Sequence, residues 1–325
     1  MSDLVAIGRA GVDFYSLDLG VHLEEATKFA KYLGGTAANT VVGGARLGLS
    51  CALVTRVSDD ELGAFVVSYL EKEGVDISRV KKDRRRKTGV VFAEVLPGRD
   101  GRFIFYRENA ADLHVTRSDV GKNVIRDTRA LLVTGTGLSS EPSLSTVLGA
   151  AKSARRLGKK VIFNLDCRPT LWNARDVVRV SRYRKAIKEA EVIVGNDKEY
   201  MAAVGEADVQ SALAAIPGGR EKMVVVTRGE AGSEVRVGGK VYTAPAFKVP
   251  MVKGLGGGDG FIAGFILGHL SGWNPKESAT FGNAVGAMVV AGHACSESMP
   301  RLRQVVSFLR MNGYSFDESS GPFKR

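Results

Sequence analysis

Lys253-Gly254-Leu255-Gly256-Gly257-Gly258-Asp259 runs directly into Gly260-Phe261-Ile262-Ala263-Gly264-Phe265-Ile266-Leu267-Gly268-His269-Leu270. Three consecutive glycines lead to an acid, and the acid opens an apolar segment long enough for a helix over residues 259–271. Glycine lets the backbone turn tightly and approach a ligand closely. The first N–H groups of a helix lack partners inside it, and its dipole adds positive partial charge there. Together these suit an anion such as a phosphate. A carboxylate repels such an anion. Asp259 is therefore either a helix N-cap or a base placed where a phosphate arrives.

Working outward from this loop, strands alternate with helices. Strands are predicted at 4–8, 26–33, 52–57, 130–134, 160–166, 191–194 and 223–227. Helices are predicted at 40–47, 61–73, 141–157, 177–190, 259–271, 275–292 and 300–311. That rhythm implies an α/β fold with a doubly wound, mostly parallel sheet flanked by helices. One region departs from it. Residues 88–96 and 102–106 read as strands around the turn Pro97-Gly98-Arg99-Asp100-Gly101. With residues 13–33 they are expected to form a small β-sheet lid, covering about 13–33 and 88–110, on a single domain spanning 1–325. A further hairpin is expected around Gly238-Gly239, and a frayed tail at its end, SSGPFKR.

The 325 residues carry 44% hydrophobic and 25% charged residues, the composition of a globular protein. The net charge of +11 suits an anionic small substrate, nucleic acid or an acidic surface. Its one cluster, Lys81-Lys82-Asp83-Arg84-Arg85-Arg86-Lys87, has no interleaved aromatics and reads as a solvated loop, so no nucleic-acid partner is expected. Cys51, Cys167 and Cys295 are far apart, with neither zinc nor disulfide spacing, which fits a reducing cytoplasm. The N-terminal stretch has no basic region followed by an apolar run, so no signal peptide is expected. No apolar run approaches the ~20 residues of a membrane span.

Several other stretches carry both a bland and a chemical reading. Asp13 lies just past the first strand, near the strand ends where ligands bind in open α/β sheets. Gly34-Gly35-x-x-x-Asn39 is either a turn before a small-residue helix or a close backbone approach to a polyhydroxyl ligand. Asn196-Asp197-Lys198-Glu199 is either a capping box or a polar shell around Mg²⁺ and phosphate. Asn164-Leu165-Asp166-Cys167-Arg168 offers Arg168 either to Asp166 or to an anionic ligand. The charged run after Tyr106-Arg107 is either solvated or part of a site. His22, His114, His269 and His293 show no ligand spacing.

The order of these signals resembles the ribokinase/PfkB-type sugar kinases over almost the whole chain. The resemblance implies a ribokinase-like α/β fold with a β lid and ATP-dependent phosphorylation of a sugar hydroxyl, with Mg²⁺. It implies that Asp259 is the catalytic base and that Gly256, Gly257 and Gly258 form an anion hole. Asp13, Gly34, Gly35 and Asn39 match sugar contacts, and Thr227, Gly229 and Asn283 match nucleotide contacts. Asn196 and Glu199 match the Mg-phosphate motif, with Glu199 reaching the metal through water. GRAGVDF, KYLGGTAANT, RVSDDELG, KTGVVFAEV, YRENAADL, NLDCRPTLW and GHACSESMP are similar to the branch acting on 5-dehydro-2-deoxygluconate, a keto sugar acid of inositol catabolism. Lys87, Tyr106, Arg107 and Arg168 are then expected around the substrate. The alternatives are a kinase of 2-keto-3-deoxygluconate or another sugar, and a non-catalytic sensor of sugar or nucleotide. Lys253-Gly254 stands where the family usually has Asp-Thr, and Gly257 where it has Ala. The Lys253 ammonium is expected to replace a monovalent cation. The open edges of a lid sheet also suggest a homodimer through the lid.

Overall fold

The computed structural model describes residues 1–98, 101–172, 176–218 and 220–314. Arg99 and Asp100 of the expected turn, and the tail from 315, lie outside the described residues.

The strands among these residues are β1 (Ser2–Ile7), β2 (Gly11–Ser16), β3 (Phe29–Gly34), β4 (Cys51–Ser58), β5 (Val80–Asp83), β6 (Val90–Ala93), β7 (Phe103–Tyr106), β8 (Thr128–Thr134), β9 (Lys160–Asn164), β10 (Val192–Asn196), β11 (Met223–Thr227), β12 (Ser233–Val237) and β13 (Lys240–Ala244). Nine of them form one sheet in the order β13-β12-β11-β10-β9-β8-β1-β4-β5. Its pairings are parallel from β11 through to β5, and only the β11–β12–β13 end is antiparallel.

β1 shows why this sheet forms. Leu4, Val5, Ala6 and Ile7 are all buried, as a strand covered on both faces requires. Leu4 and Ala6 join one apolar cluster and Val5 and Ile7 the other, following the two-residue period of a strand. The two clusters are the helix-covered layers on either face, so the sheet ends converge on one carboxyl edge.

The remaining strands make a separate small sheet, β3-β2-β6-β7. β2–β3 and β6–β7 pair antiparallel and β2–β6 parallel. β2 follows β1 after a short turn at Gly8-Arg9-Ala10, so this sheet stands directly off the carboxyl edge of the large one.

Two expectations need correction. The small-residue helix runs Thr36–Arg46, not from Thr40, which puts Asn39 inside its first turn. Its N-cap residue is Gly35 at φ +103°, with no side-chain cap to signal the start. The basic cluster is not all loop, since Val80–Asp83 is the edge strand β5. Charged side chains are normal on such an edge. Lys82 and Arg84 pair with Asp59, and Arg86 with Asp83. Among the described residues no helix is long and apolar enough to cross a membrane.

Candidate active site

The helix after the glycine loop runs Gly257–Leu270, with Gly256 at its N-cap in the left-handed region, φ +82°. A Cβ at Gly256 would lie 2.3 Å from Cys295 Sγ, so only glycine fits that turn. Asp259 is therefore the third residue of the helix and not its cap. The N-cap reading falls, because glycine supplies the cap conformation and leaves the acid free. The amides of Gly256, Gly257 and Gly258 open the helix beside it.

Asp259 Oδ2 accepts a 2.7 Å hydrogen bond from Asn39 Nδ2. Asn39 Oδ1 in turn accepts from Ser296 Oγ at 2.6 Å, which fixes the way the amide points. Burial pushes the Asp259 carboxyl up to about 6. The bond from Asn39 opposes that rise, the Asp166 charge adds to it, and Arg168 and Thr36 oppose it. A carboxylate near that value is mostly ionised at neutral pH yet basic enough to take a proton.

Asp259 opens into a cavity lined from both sheets. The large sheet's carboxyl edge supplies Arg9, Thr136, Asp166 and Arg168, and the small sheet supplies Asp13, Tyr15, Val91, Ala93, Phe103 and Phe105. Asp166 holds a strained φ of +35°. Its carboxylate accepts from Arg168 Nε at 3.1 Å and Thr136 Oγ1 at 3.3 Å. Asp13 Oδ1 accepts from Arg9 Nη2 at 2.9 Å, and burial, outweighing the Arg9 charge, pushes its carboxyl up. A Cβ at Gly34 would fall 1.9 Å from Asp13 Oδ1, so the glycine pair leaves room for this ion pair.

The cavity thus brings together Asp13, Gly35, Asn39, Arg168, Gly256 and Asp259, with Gly34 packed against Asp13. It does not bring in three residues expected around the substrate. Tyr106 is 59% exposed. Strand period aims Phe103 and Phe105 at the cavity and turns Ile104 and Tyr106 away. Arg107 is buried and occupied by Asp112, at 3.0 and 2.5 Å, and by the Thr136 carbonyl. Lys87 is exposed and pairs with Asp60 at 2.9 Å. Arg9, Thr36, Thr136, Asp166, Phe103, Phe105 and Cys295 were not singled out as site residues. The alternation of Phe103 and Phe105, and an Arg between two strands, were the available signals.

The expected nucleotide residues lie farther along the carboxyl edge. Asn196 and Glu199 do form a capping box, with Asn196 N donating to Glu199 Oε2 at 3.0 Å. Thr227 lies in register with Asn196 on the neighbouring strand. Gly229 has φ +54° and open space where a Cβ would stand. Asn283 Nδ2 donates to the carbonyls of Ala244 and Pro245 at 3.1 and 3.0 Å.

Glu199 connects this edge to the cavity. Burial pushes its carboxyl up to about 7; Arg168 opposes, while Asp166 and Asp259 raise it further. Among the described residues no group of three His, Cys, Asp or Glu side chains could hold a metal directly. The mutual repulsion of Asp166, Glu199 and Asp259 nevertheless fits a hydrated divalent cation, which would neutralise it through water.

The pfkB family carbohydrate kinase pattern matches residues 1–302. A 5-dehydro-2-deoxygluconokinase of Clostridium perfringens is 35% identical over 323 residues, covering 97% of this chain and 95% of that one. A fructokinase of Xylella fastidiosa, solved with ATP bound, superposes with a TM-score of 0.85 at 23% identity, covering 97% of this chain and 100% of that one. A candidate ribokinase II of E. coli, solved with ATP and Mg²⁺, gives 0.84 at 22% identity, covering 96% and 100%. The two solved structures share the ribokinase-like fold seen here. With the pattern matching nearly the full length and a buried acid standing at the mouth of a glycine loop, this chain belongs to the pfkB family of carbohydrate kinases.

Proposed function

We propose that this kinase transfers the γ-phosphoryl group of ATP to the terminal hydroxyl of a keto-deoxy sugar acid, 5-dehydro-2-deoxy-D-gluconate. One observation carries the reading: Asp259, bonded by the neutral Asn39 amide and by no guanidinium among the described residues, shares a cavity with two guanidiniums. A base and an anion-binding end in one cleft suit an acidic sugar, and the similar 5-dehydro-2-deoxygluconokinase supports that choice.

Asp259 accepts the proton of the attacking hydroxyl, and Asn39 holds the carboxylate in place. The Gly256, Gly257 and Gly258 amides stabilise the charge on the group in transfer. Asp13, Gly35 and Asn39 position the sugar hydroxyls, and Arg168 faces the carboxylate. Asn196, Thr227, Gly229 and Asn283 hold the nucleotide at the sheet edge. Glu199 would hold Mg²⁺ through water, and the ion would supply neutralisation of the phosphate charge. The small sheet acts as a lid over a single catalytic domain and excludes water as a competing acceptor. The protein works in the cytoplasm, as a homodimer joined through the lid. Ile104 and Tyr106, exposed on its edge strand, support that pairing.

The test offers 5-dehydro-2-deoxygluconate, 2-keto-3-deoxygluconate, fructose and ribose separately with ATP·Mg²⁺ and follows ADP release. The highest kcat/KM is expected for 5-dehydro-2-deoxygluconate. Preference for another of the four reassigns the substrate, and no turnover with any of them refutes the reading.

A further inference from the structure

Of the two guanidiniums in the cavity, Arg9 is the more deeply set. It occupies the turn between β1 and β2 and is only 6% exposed. Its Nη2 donates to Asp13 Oδ1 at 2.9 Å and to the Gly89 carbonyl at 3.5 Å. Among the described residues its Nε–H is enclosed and without a hydrogen-bond partner. Its other terminal nitrogen, Nη1, is engaged by neither Asp13 nor Gly89, and a charged donor left unmet at that depth is costly unless a ligand meets it.

The surroundings make room for this side chain. A Cβ at Gly11 would come within 2.6 Å of Arg9 Nη2, and one at Gly35 within 3.2 Å of Arg9 Cγ. From the small sheet, Phe105 stacks on Arg9 at 5.9 Å and Phe103 on Arg168 at 5.4 Å. The rings sit two residues apart on β7 and so share one face. Stacking at this range is weak, but it orients the guanidinium plane. Arg107, by contrast, has Asp112 and the Thr136 carbonyl on its guanidinium and does not line the cavity.

We propose that Arg9 is the residue that selects a substrate bearing a carboxylate, receiving that group on Nη1 alongside Arg168. The proposal rests on the sugar-acid reading above. Asp13 stays on the Nη2 side, so binding leaves the ion pair intact. Phe105 and Phe103 hold the two guanidiniums in place. A neutral hydroxymethyl group in the same position would leave the charged donor poorly matched.

The test measures kcat/KM for 5-dehydro-2-deoxygluconate and for its analogue with the carboxylate reduced to an alcohol. Wild type, Arg9→Gln and Arg9→Lys are compared. Arg9→Gln is expected to lower the acid-over-alcohol ratio about 100-fold, chiefly through KM for the acid. Arg9→Lys keeps a cation beside Asp13, and with it the fold, and is expected to fall between the two. Equal losses on acid and alcohol, or an unchanged ratio, overturn the proposal. Should wild type prefer 2-keto-3-deoxygluconate, the substrate assignment fails, and Arg9 is judged by the same ratio on that acid and its alcohol. Should wild type take fructose or ribose as readily as either acid, the carboxylate receptor falls too.

Discussion

The two ends of the cavity treat their carboxylates differently. At the glycine-loop end, Asp259 is bonded by the neutral amide of Asn39 at 2.7 Å. At the end beneath the small sheet, Asp13 and Asp166 are each bonded by a guanidinium, at 2.9 and 3.1 Å. The guanidiniums tie Asp13 and Asp166 into ion pairs, and burial still pushes the Asp13 carboxyl up. Asp259 has no guanidinium bonded to it among the described residues, and burial pushes its carboxyl up to about 6. On the proposed reading the same residue type is a base at one end, where an amide bonds it, and an arginine holder at the other, where a guanidinium does.

The largest break is expected at the base. Asp259→Asn should lower kcat about 1,000-fold, with KM for the sugar acid moved far less. The same variant should gain stability. The folded carboxyl titrates at about 6, above its ordinary 3.8. Ionising it therefore costs more folded than unfolded, and that cost grows as pH rises from the lower value to the higher. Thermal melts at pH 8 should show Asp259→Asn a few degrees above wild type, a gain that vanishes near pH 4. Equal melting temperatures at pH 8 would mean that the acid is not held at a cost.

The arginine end should break in binding. Arg168→Gln should cut kcat/KM for the acid about 100-fold, mostly through KM. A loss confined to kcat would put Arg168 on the transferring phosphate, and the contrast between the ends would blur. The smallest effect concerns the approach to the loop. Lys253 is buried, and its Nζ donates to the Leu255 and Val289 carbonyls at 2.6 and 3.3 Å. With an ammonium already on those carbonyls, replacing K⁺ by tetramethylammonium in the assay should leave the rate unchanged. A strong K⁺ requirement would remove that role from Lys253.

The sheet was legible because its strands are buried on both faces and read as apolar runs, as in Leu4–Ile7. β5 was not, since an edge strand can carry Lys81 and Lys82 and look like loop. The early start of the helix at Thr36 was hidden because a glycine caps it by conformation, without a side-chain cap. Asp13, Gly35, Asn39, Arg168 and Asp259 were readable by their order along the chain, and the cavity gathers them. Tyr106 and Arg107 lie outside the cavity for reasons that only three dimensions supply. Strand parity turns Tyr106 outward, and Asp112 takes up Arg107. Arg9 went unassigned because nothing in the sequence shows that Gly11 and Gly35 leave space for it.

The central claim is that Asp259, bonded by the Asn39 amide and by no guanidinium among the described residues, serves as the base. The most direct test is the pH dependence of kcat/KM at saturating ATP·Mg²⁺, in wild type and Asn39→Ala. The wild-type rate should fall tenfold per unit below about pH 6, as the base protonates. The Asn39 bond lowers the Asp259 value, so its removal should move that limb to higher pH. An acid limb that stays in place in Asn39→Ala would belong to another group and would contradict the account.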